Sequence, residues 1–203
     1  MSSSPEDAVG RIGAAALLDQ VRARFGAGVL LIDGRSGSGK TTLARWLAPR
    51  LGARVLQMEE LYCGWDGLDR AAGVLAERVL PAFAAGRVAS WPRWDWAEGR
   101  VDGTGFLRPG GRLIVEGCGA LTAASRPFAG LALLLDVDPV VRSWRIRRRD
   151  PAGALPGHQR WAAQEQRQRA RETMRALADL VLVGGVGLPM RLPDEPALPA
   201  DLC

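Results

Sequence analysis

One glycine-rich segment constrains the fold of this chain more than any other feature. Residues 34–41 read Gly-Arg-Ser-Gly-Ser-Gly-Lys-Thr, which fits the pattern G-x-x-x-x-G-K-[ST]. The apolar run at residues 28–33 is typical of a buried strand, and residues 42–48 carry leucines at helical spacing. A strand must therefore turn into a helix through a loop that presents backbone amides at the helix N-terminus, where anions bind.

Lys40 is the one lysine among 27 lysine and arginine residues, and it lies inside this segment. A compact ammonium can reach between the β- and γ-phosphates of a nucleotide, whereas a planar guanidinium does not fit such a nest. We therefore predict that the segment binds ATP and that the Thr41 hydroxyl binds Mg²⁺. We expect Lys40 to face solvent rather than the core. The predicted ATP-binding residues are Gly34, Arg35, Ser36, Gly37, Ser38, Gly39, Lys40, Thr41 and Thr42.

Composition favours one cytoplasmic domain. At 203 residues and 47% apolar content, the chain suits a single core. Its net charge of +5 owes much to the arginines at 142–149, which suit phosphate ligands as well as nucleic acid. The three cysteines form no C-x-x-C pair, so we expect free thiols and a reducing compartment. No targeting pattern or run of ~18 apolar residues suggests a membrane.

Apolar runs alternate with segments of helical periodicity along the chain. The predicted strands are residues 28–33, 54–57, 112–116, 131–136 and 180–183. The predicted helices cover residues 5–25, 42–48, 68–82, 140–149 and 159–178, with Pro81 and Gly86 expected to end the third. This order predicts an α/β fold of the P-loop NTPase type, a three-layer α/β/α sandwich with a mostly five-stranded parallel sheet.

Two excursions and a tail interrupt this pattern. Residues 87–110 carry three tryptophans and two turn signals, which predicts a small β-hairpin. The basic helix and the loop after it, residues 142–158, are predicted to form a lid. We expect residues 1–183 to be a single domain and the Pro-rich residues 184–203 to be a flexible tail.

Ligands of such sheets bind at the carboxyl ends of the strands, and several acids follow predicted strands. Glu59 and Glu60 follow the second strand, and either one can serve as the base that activates a hydroxyl acceptor. Glu116 and Asp136 end two later strands, and both are candidates for a metal ligand.

The motifs together resemble a known family. The glycine segment, residues 59–62, residues 113–117 and residues 148–150 resemble, in order and spacing, the uridine kinase group of P-loop kinases over residues 28–183. Residues 58–68 are most similar to the small actinobacterial-type proteins labelled uridine kinase. The resemblance implies transfer of a phosphoryl group from ATP, with Mg²⁺, to a small hydroxyl acceptor, a pyrimidine nucleoside such as uridine or cytidine first.

The resemblance also implies roles for individual residues. The acid after the second strand, Glu59 with Glu60 beside it, acts near the acceptor hydroxyl together with Tyr62. The metal-side acid is placed on the earlier of the two later strands, which favours Glu116 over Asp136.

Two further segments are expected to complete the site. Arg145 and Arg149 lie on one face of the basic helix and are predicted catalytic residues that neutralise charge on the transferring phosphoryl group. In the hairpin, tryptophan faces can stack on a base and Asp95 can accept from hydroxyls; the alternative is a packed hairpin with no ligand. The predicted acceptor-binding residues are Tyr62, Arg93, Trp94, Asp95 and Trp96.

Two other functions remain open at this level. The same fold serves kinases of other small metabolites, such as a sugar, a vitamin precursor or a natural product. The chain can also be an NTPase switch or a nucleic-acid-associated ATPase, in which the basic helix binds phosphodiester and Asp136 holds the metal. We expect a small-molecule acceptor and no nucleic acid or membrane partner, and the sequence sets no oligomeric state.

Overall fold

The computed structural model describes residues 13–149, 157–171 and 173–184. The predicted start of the first helix, most of the lid loop and the Pro-rich tail lie outside these residues. The helices are α1 Ala14–Arg24, α2 Lys40–Leu51, α3 Leu68–Val74, α4 Leu80–Ala84, α5 Pro139–Arg149, α6 His158–Arg171 and α7 Met174–Leu177. The strands are β1 Gly28–Gly34, β2 Ala53–Gln57, β3 Ala89–Asp95, β4 Arg100–Leu107, β5 Arg112–Glu116, β6 Ala129–Val137 and β7 Leu180–Gly184.

Five strands form one parallel sheet in the order β2-β5-β1-β6-β7. The central strand β1 is covered on both faces. Leu30 and Ile32 pack with α1 and α2 on one face, and Val29 and Leu31 pack with α3 and α6 on the other. Strands buried on both faces need continuous apolar runs rather than alternation. The predicted α/β/α fold with a five-stranded parallel sheet is therefore confirmed.

The strands β3 and β4 form a separate antiparallel hairpin, as the turn signals predicted. Trp91 anchors this hairpin because its side chain is 2% exposed and belongs to the same apolar cluster as α3 and α6. Gly105 lies opposite Trp91, and a Cβ at that position would come within 2.4 Å of the indole ring. The missing side chain of Gly105 thus leaves room for the indole ring of Trp91 beside the neighbouring strand.

Two helix predictions were wrong in detail. Pro81 does not end the third helix, because a π-helical turn at Leu75–Val79 leads into α4, whose first turn accommodates a proline without its N–H. The predicted helix 159–178 is two helices, since Thr173 leaves the helical conformation. The chain turns there and leads into β7. Just before β7, the carboxylate of Asp179 accepts from the amide of Ala132 in β6 at 2.7 Å and so fixes the start of the strand. Within the described part of the chain, no helix is long and apolar enough to cross a membrane.

Candidate active site

The glycine loop between β1 and α2 has the shape of an anion-binding loop. Gly34 has φ +151°, and a Cβ there would lie 2.5 Å from the carbonyl oxygen of Leu135. Gly37 has φ +77°, and its Cβ would lie 2.5 Å from the carbonyl oxygen of Arg142. Glycine is required at both positions. Because α2 begins at Lys40, the amides of its first turn have no partner within the helix and lie at the positive end of the helix dipole.

Lys40 is enclosed by protein, with only 7% of its surface exposed. Its Nζ donates to the carbonyl oxygen of Arg35 at 3.2 Å and to Sγ of Cys118 at 3.5 Å. The expectation that Lys40 faces solvent was wrong, because Cys118 follows β5 and covers the loop. Burial alone would lower the pKa of Lys40. The negative charge that Cys118, Asp33 and Glu116 carry when ionised outweighs burial and raises that pKa, so the lysine stays protonated.

Glu116 ends β5 beside the glycine loop and is fully buried. Its Oε1 accepts from Nε2 of Gln57 at 3.0 Å. Its Oε2 has no hydrogen-bond partner among the described residues. A buried carboxylate oxygen without a partner is costly unless a cation or a metal-bound water completes it. A Mg²⁺ ion would supply the partner that Oε2 of Glu116 lacks, and the sharing of that ion with the Thr41 hydroxyl stays a prediction.

Other donors for a metal are sparse. Among the residues that the structure describes, no three His, Cys, Asp or Glu side chains come together in a way that could hold a metal ion. This donor set suits Mg²⁺, since that ion keeps several waters and substrate phosphates as ligands and needs only one or two protein oxygens.

Asp136, the rival metal ligand, is engaged elsewhere. Oδ2 of Asp136 accepts from Nη2 of Arg175 at 2.6 Å, and its Oδ1 lies 3.8 Å from Nη2 of Arg169. A carboxylate that two guanidinium groups neutralise has little capacity left for a cation. These contacts favour Glu116 over Asp136 as the metal-side acid.

Glu59 and Glu60 lie on a 3-10 turn, Met58–Glu60, that follows β2. Both residues are exposed. Partial burial of its carboxyl, and then the nearby Glu116 carboxylate, raise the pKa of Glu59, while Lys40 and Arg149 act in the opposite direction. Glu59 thus shares its electrostatic environment with the two central groups of the site, and we favour it as the base.

Tyr62 lies inside the core, although the sequence predicted an acceptor contact. Its hydroxyl donates to the carbonyl oxygen of Cys118 at 2.9 Å, and its ring packs edge-on against Trp161 with centroids 4.6 Å apart. The hydroxyl is used within the protein because the chain after β5 passes directly over it. A role for Tyr62 in acceptor binding stays a prediction, and this contact does not favour it.

The basic helix α5 packs against the outer side of the glycine loop. Nη1 of Arg145 donates to the carbonyl oxygens of Gly37 at 3.2 Å and Ser38 at 3.3 Å. Nη1 of Arg142 donates to the carbonyl oxygen of Ser36 at 3.3 Å. These contacts support the loop from the side opposite its amides, so Arg145 is placed to hold the loop. Direct contact of Arg145 with the phosphoryl group stays a prediction.

Arg149 ends α5 and is exposed. Its charge lies close enough to Glu59 to oppose the rise in that residue's pKa. The charge of Arg149, a predicted catalytic residue, therefore reaches the candidate base. Residues 150–156 of the predicted lid lie outside the described residues.

A cleft of about 490 Å³ lies at the turn of the hairpin. It brings together four of the predicted acceptor-binding residues. The lining residues are Arg93, Trp94, Asp95, Trp96, Asp102 and Gly103. Oδ1 of Asp95 accepts from the amides of Ala97 at 2.8 Å and Glu98 at 3.0 Å, so this carboxylate also fixes the turn. Trp96 is 45% exposed, and its ring packs in a T-shaped arrangement with that of Trp65, with ring centroids 5.4 Å apart. This contact links the cleft to the loop after β2.

Three buried polar groups near the glycine loop were missed by sequence reasoning or given another role. Asp33 ends the apolar run of β1, is 1% exposed and accepts from the amides of Gly34 and Leu121, so both of its carboxylate oxygens bond within the fold. Burial raises the pKa of Asp33 to about 6. Cys118 and Glu165 lie against the loop and were not recognised. The one sequence signal for Glu165 is that it is the sole acid of the 14-residue helix α6.

Comparison with known proteins identifies the fold. No protein-family model matches the sequence, and no curated protein matches it either. A solved structure from Bacillus stearothermophilus, described as a possible uridine kinase, is 22% identical with a TM-score of 0.59, and the match covers 82% of this chain and 95% of that one. The chain has the fold of the P-loop kinases.

A second solved structure of this fold comes from Silicibacter sp. TM1040 and is described as a candidate fructose transport system kinase. It is 20% identical with a TM-score of 0.54, and the match covers 84% of this chain and 98% of that one. Likeness to two such differently named proteins extends to the fold and leaves the acceptor to be argued from the site.

Proposed function

We propose that this protein is an ATP- and Mg²⁺-dependent kinase that phosphorylates a hydroxyl group of a small molecule, a pyrimidine nucleoside first. One observation carries the proposal. Glu116 presents a buried carboxylate oxygen that has no hydrogen-bond partner in the described part of the chain, at the carboxyl end of β5 and beside the loop that positions Lys40. This pairing of an anion-binding loop with a free metal-binding oxygen suits Mg²⁺-bound nucleotide.

Each group of the site then has a definite task. The amides of residues 37–41 and the ammonium of Lys40 bind the phosphates. Thr41 and Glu116 hold Mg²⁺, which neutralises charge on the phosphate oxygens when it is bound. Glu59 accepts the proton of the acceptor hydroxyl while the oxygen of that hydroxyl forms a bond to the γ-phosphorus. The bond between the γ-phosphorus and the β–γ bridging oxygen breaks, and ADP leaves. Arg149 neutralises charge on the transferring group.

The hairpin cleft supports a planar acceptor. Trp94 and Trp96 supply aromatic faces beside the donors of Arg93 and the acceptors of Asp95. Bases stack on such faces, and hydroxyls bond to such carboxylates. A nucleoside combines both properties, whereas a sugar without a base uses only the second. We place the reaction in the cytoplasm, where the thiols of Cys63 and Cys118 stay reduced.

A coupled assay of ADP release tests the function. We expect ATP turnover with Mg²⁺ to be stimulated most by uridine or cytidine in a panel of nucleosides, sugars and small alcohols. Stimulation by a non-planar acceptor alone would contradict the nucleoside assignment and keep the kinase assignment. Stimulation by DNA or RNA alone would overturn both and favour a nucleic-acid-associated ATPase.

Replacing Trp96 with alanine tests the cleft. We expect Trp96→Ala to raise the KM for the acceptor roughly 5- to 150-fold, because stacking on one aromatic ring contributes about 1–3 kcal/mol per base. The KM for ATP should stay near the wild-type value. Phe106→Ala is the matched control, since Phe106 lies on the same hairpin, is 68% exposed and does not line the cleft. Equal effects of the two variants on the acceptor KM would assign the cleft no part in binding.

A further inference from the structure

We propose that Glu165 is a positioning residue of the nucleotide site. Its carboxylate fixes Arg35 and Ser36, and so holds the glycine loop and Lys40 ready for phosphate. The inference rests on the proposed binding of ATP. It gives α6, the helix after the predicted lid, a role in positioning the glycine loop of the same site.

Both oxygens of Glu165 are fully used. Oε1 accepts from the amide of Ser36 at 2.8 Å, from Nε1 of Trp161 at 3.1 Å and from Sγ of Cys118 at 3.2 Å. Oε2 accepts from Nε of Arg35 at 3.0 Å. The residue is only 4% exposed. A buried carboxylate is tolerated when hydrogen-bond donors satisfy it in this way. The four donors together fix the carboxylate in one position against the glycine loop.

Ionisation states agree with this arrangement. Burial acts to raise the pKa of Glu165, but the hydrogen bonds from Ser36, Arg35 and Cys118 together outweigh burial and lower that pKa, so the group stays a carboxylate. The sulfur of Cys118 lies within hydrogen-bond distance of two acceptors, Oε1 of Glu165 at 3.2 Å and the carbonyl oxygen of Gly34 at 3.4 Å, so its position beside Glu165 is fixed by geometry.

Two short paths lead from Glu165 to Lys40. Arg35 gives its side chain to Glu165, and its carbonyl oxygen accepts from Nζ of Lys40 at 3.2 Å. The thiol of Cys118 lies between the two residues, since it donates to Glu165 and accepts from Nζ of Lys40 at 3.5 Å. Glu165 thus sets the position of both groups that hold the ammonium.

The carboxylate of Glu165 occupies none of the amides that are proposed to bind phosphate. Ser36 lies upstream of the proposed phosphate-binding residues 37–41, so occupation of its amide by Glu165 removes none of their donors. Within residues 37–41 the amide of Ser38 donates to the carbonyl oxygen of Arg35 at 3.0 Å, so the residue that Glu165 fixes also shapes the loop beyond it. Fixing the start of a loop in this way preorganises a binding site.

Helix α6 is a rigid base for this task. Gln164, the neighbour of Glu165, donates through Nε2 to the carbonyl oxygen of Trp65 at 2.6 Å and accepts from the amide of Leu68 at 3.3 Å. Trp161 packs against Tyr62 one turn earlier. These contacts hold the helix against the body of the protein independently of the glycine loop, so Glu165 can impose its position on the loop.

Binding of MgATP to the full-length chain, measured by calorimetry without an acceptor, tests the inference. We expect Glu165→Ala to weaken binding roughly 10- to 100-fold, as expected for loss of hydrogen bonds to a charged group. Glu165→Gln keeps an acceptor for Ser36 and loses the charge facing Arg35, so its affinity should lie between those of Glu165→Ala and the wild type. In the kinase assay the KM for ATP should rise in both variants while the KM for the acceptor stays unchanged.

Arg160→Ala is the control on the same helix. Arg160 forms an exposed ion pair with Asp66, which contributes little to stability, and this variant should bind MgATP like the wild type. Thermal unfolding without ligand separates loss of fold from loss of binding, and the near-isosteric Glu165→Gln serves if Glu165→Ala does not fold.

The outcomes separate the two hypotheses. A wild-type chain that binds no MgATP overturns the proposed function itself. Wild-type binding with unchanged affinity in folded Glu165 variants overturns only the positioning role. Tighter binding in Glu165→Ala also overturns it, because the carboxylate would then compete with phosphate for the loop. Weaker binding with partial recovery in Glu165→Gln supports the proposal.

Discussion

Lys40→Met is expected to reduce phosphoryl transfer by at least about 10²–10³-fold, the range observed when one electrostatic donor is removed from a transition state. The ammonium is the positive charge that the structure holds inside the glycine loop, between Arg35 and Cys118. Affinity for MgATP should fall as well, since Lys40 is proposed to contact the phosphates both before and during transfer. Coupled ADP release gives the rate, and calorimetry gives the affinity.

Lys40→Arg is the informative companion. This variant keeps the charge but replaces a compact ammonium with a planar fork in a site that is 7% exposed. We expect it to be nearly as inactive as Lys40→Met, which would show that shape matters and not charge alone. Circular dichroism and urea unfolding must show that both variants fold. A folded Lys40→Met protein with near-normal turnover would refute the nucleotide site.

Glu59→Gln should lower turnover by about 10²–10⁴-fold with little change in ATP affinity, as expected when a general base is lost. Glu60→Gln is a matched control, because Glu60 lies on the same exposed turn and differs from Glu59 by one position. It should retain most of the activity. Similar small losses in both variants would move the base to another residue.

The pH profile gives an independent measurement of the same base. Glu59 acts only when deprotonated, and partial burial together with the Glu116 carboxylate raises its pKa above the usual glutamate value. Turnover in the wild type should therefore fall on the acidic side at a higher pH than for an ordinary glutamate. In Glu59→Gln the residual rate should lose this acidic limb. A limb that survives the substitution would belong to another group.

Local features of the sequence determined the fold and the phosphate loop. Continuous apolar runs predict strands buried on both faces, and the parallel five-stranded sheet follows from strands alternating with helices. Gly34 and Gly37 occupy backbone conformations and close approaches that other residues cannot adopt. These constraints act within a few residues of each position, so the sequence alone could reveal them.

Errors in the sequence reasoning arose where distant segments meet. The third predicted helix continues past Pro81, because a π-helical turn precedes the proline. The last predicted helix is interrupted at Thr173, from where the chain leads to β7 beside β6. Hydrophobic periodicity indicates the secondary structure that a segment prefers. It does not indicate where contacts with distant segments interrupt that structure. Tyr62 is a similar case, because its hydroxyl bonds to a carbonyl 56 residues away.

The contacts that distinguish the candidate acids are visible only in the tertiary structure, although the family resemblance already favoured Glu116. Glu116 and Asp136 both end buried strands, and they differ because Arg175 reaches Asp136 from 39 residues away while one oxygen of Glu116 has no partner among the described residues. Glu165 lies 130 residues from Arg35 and matches no motif. The charge and burial of a carboxylate depend on groups that only folding brings within a few ångströms. The sequence therefore determined the position of the glycine loop, and the packing of α5, α6 and the chain after β5 decided which side chains surround that loop.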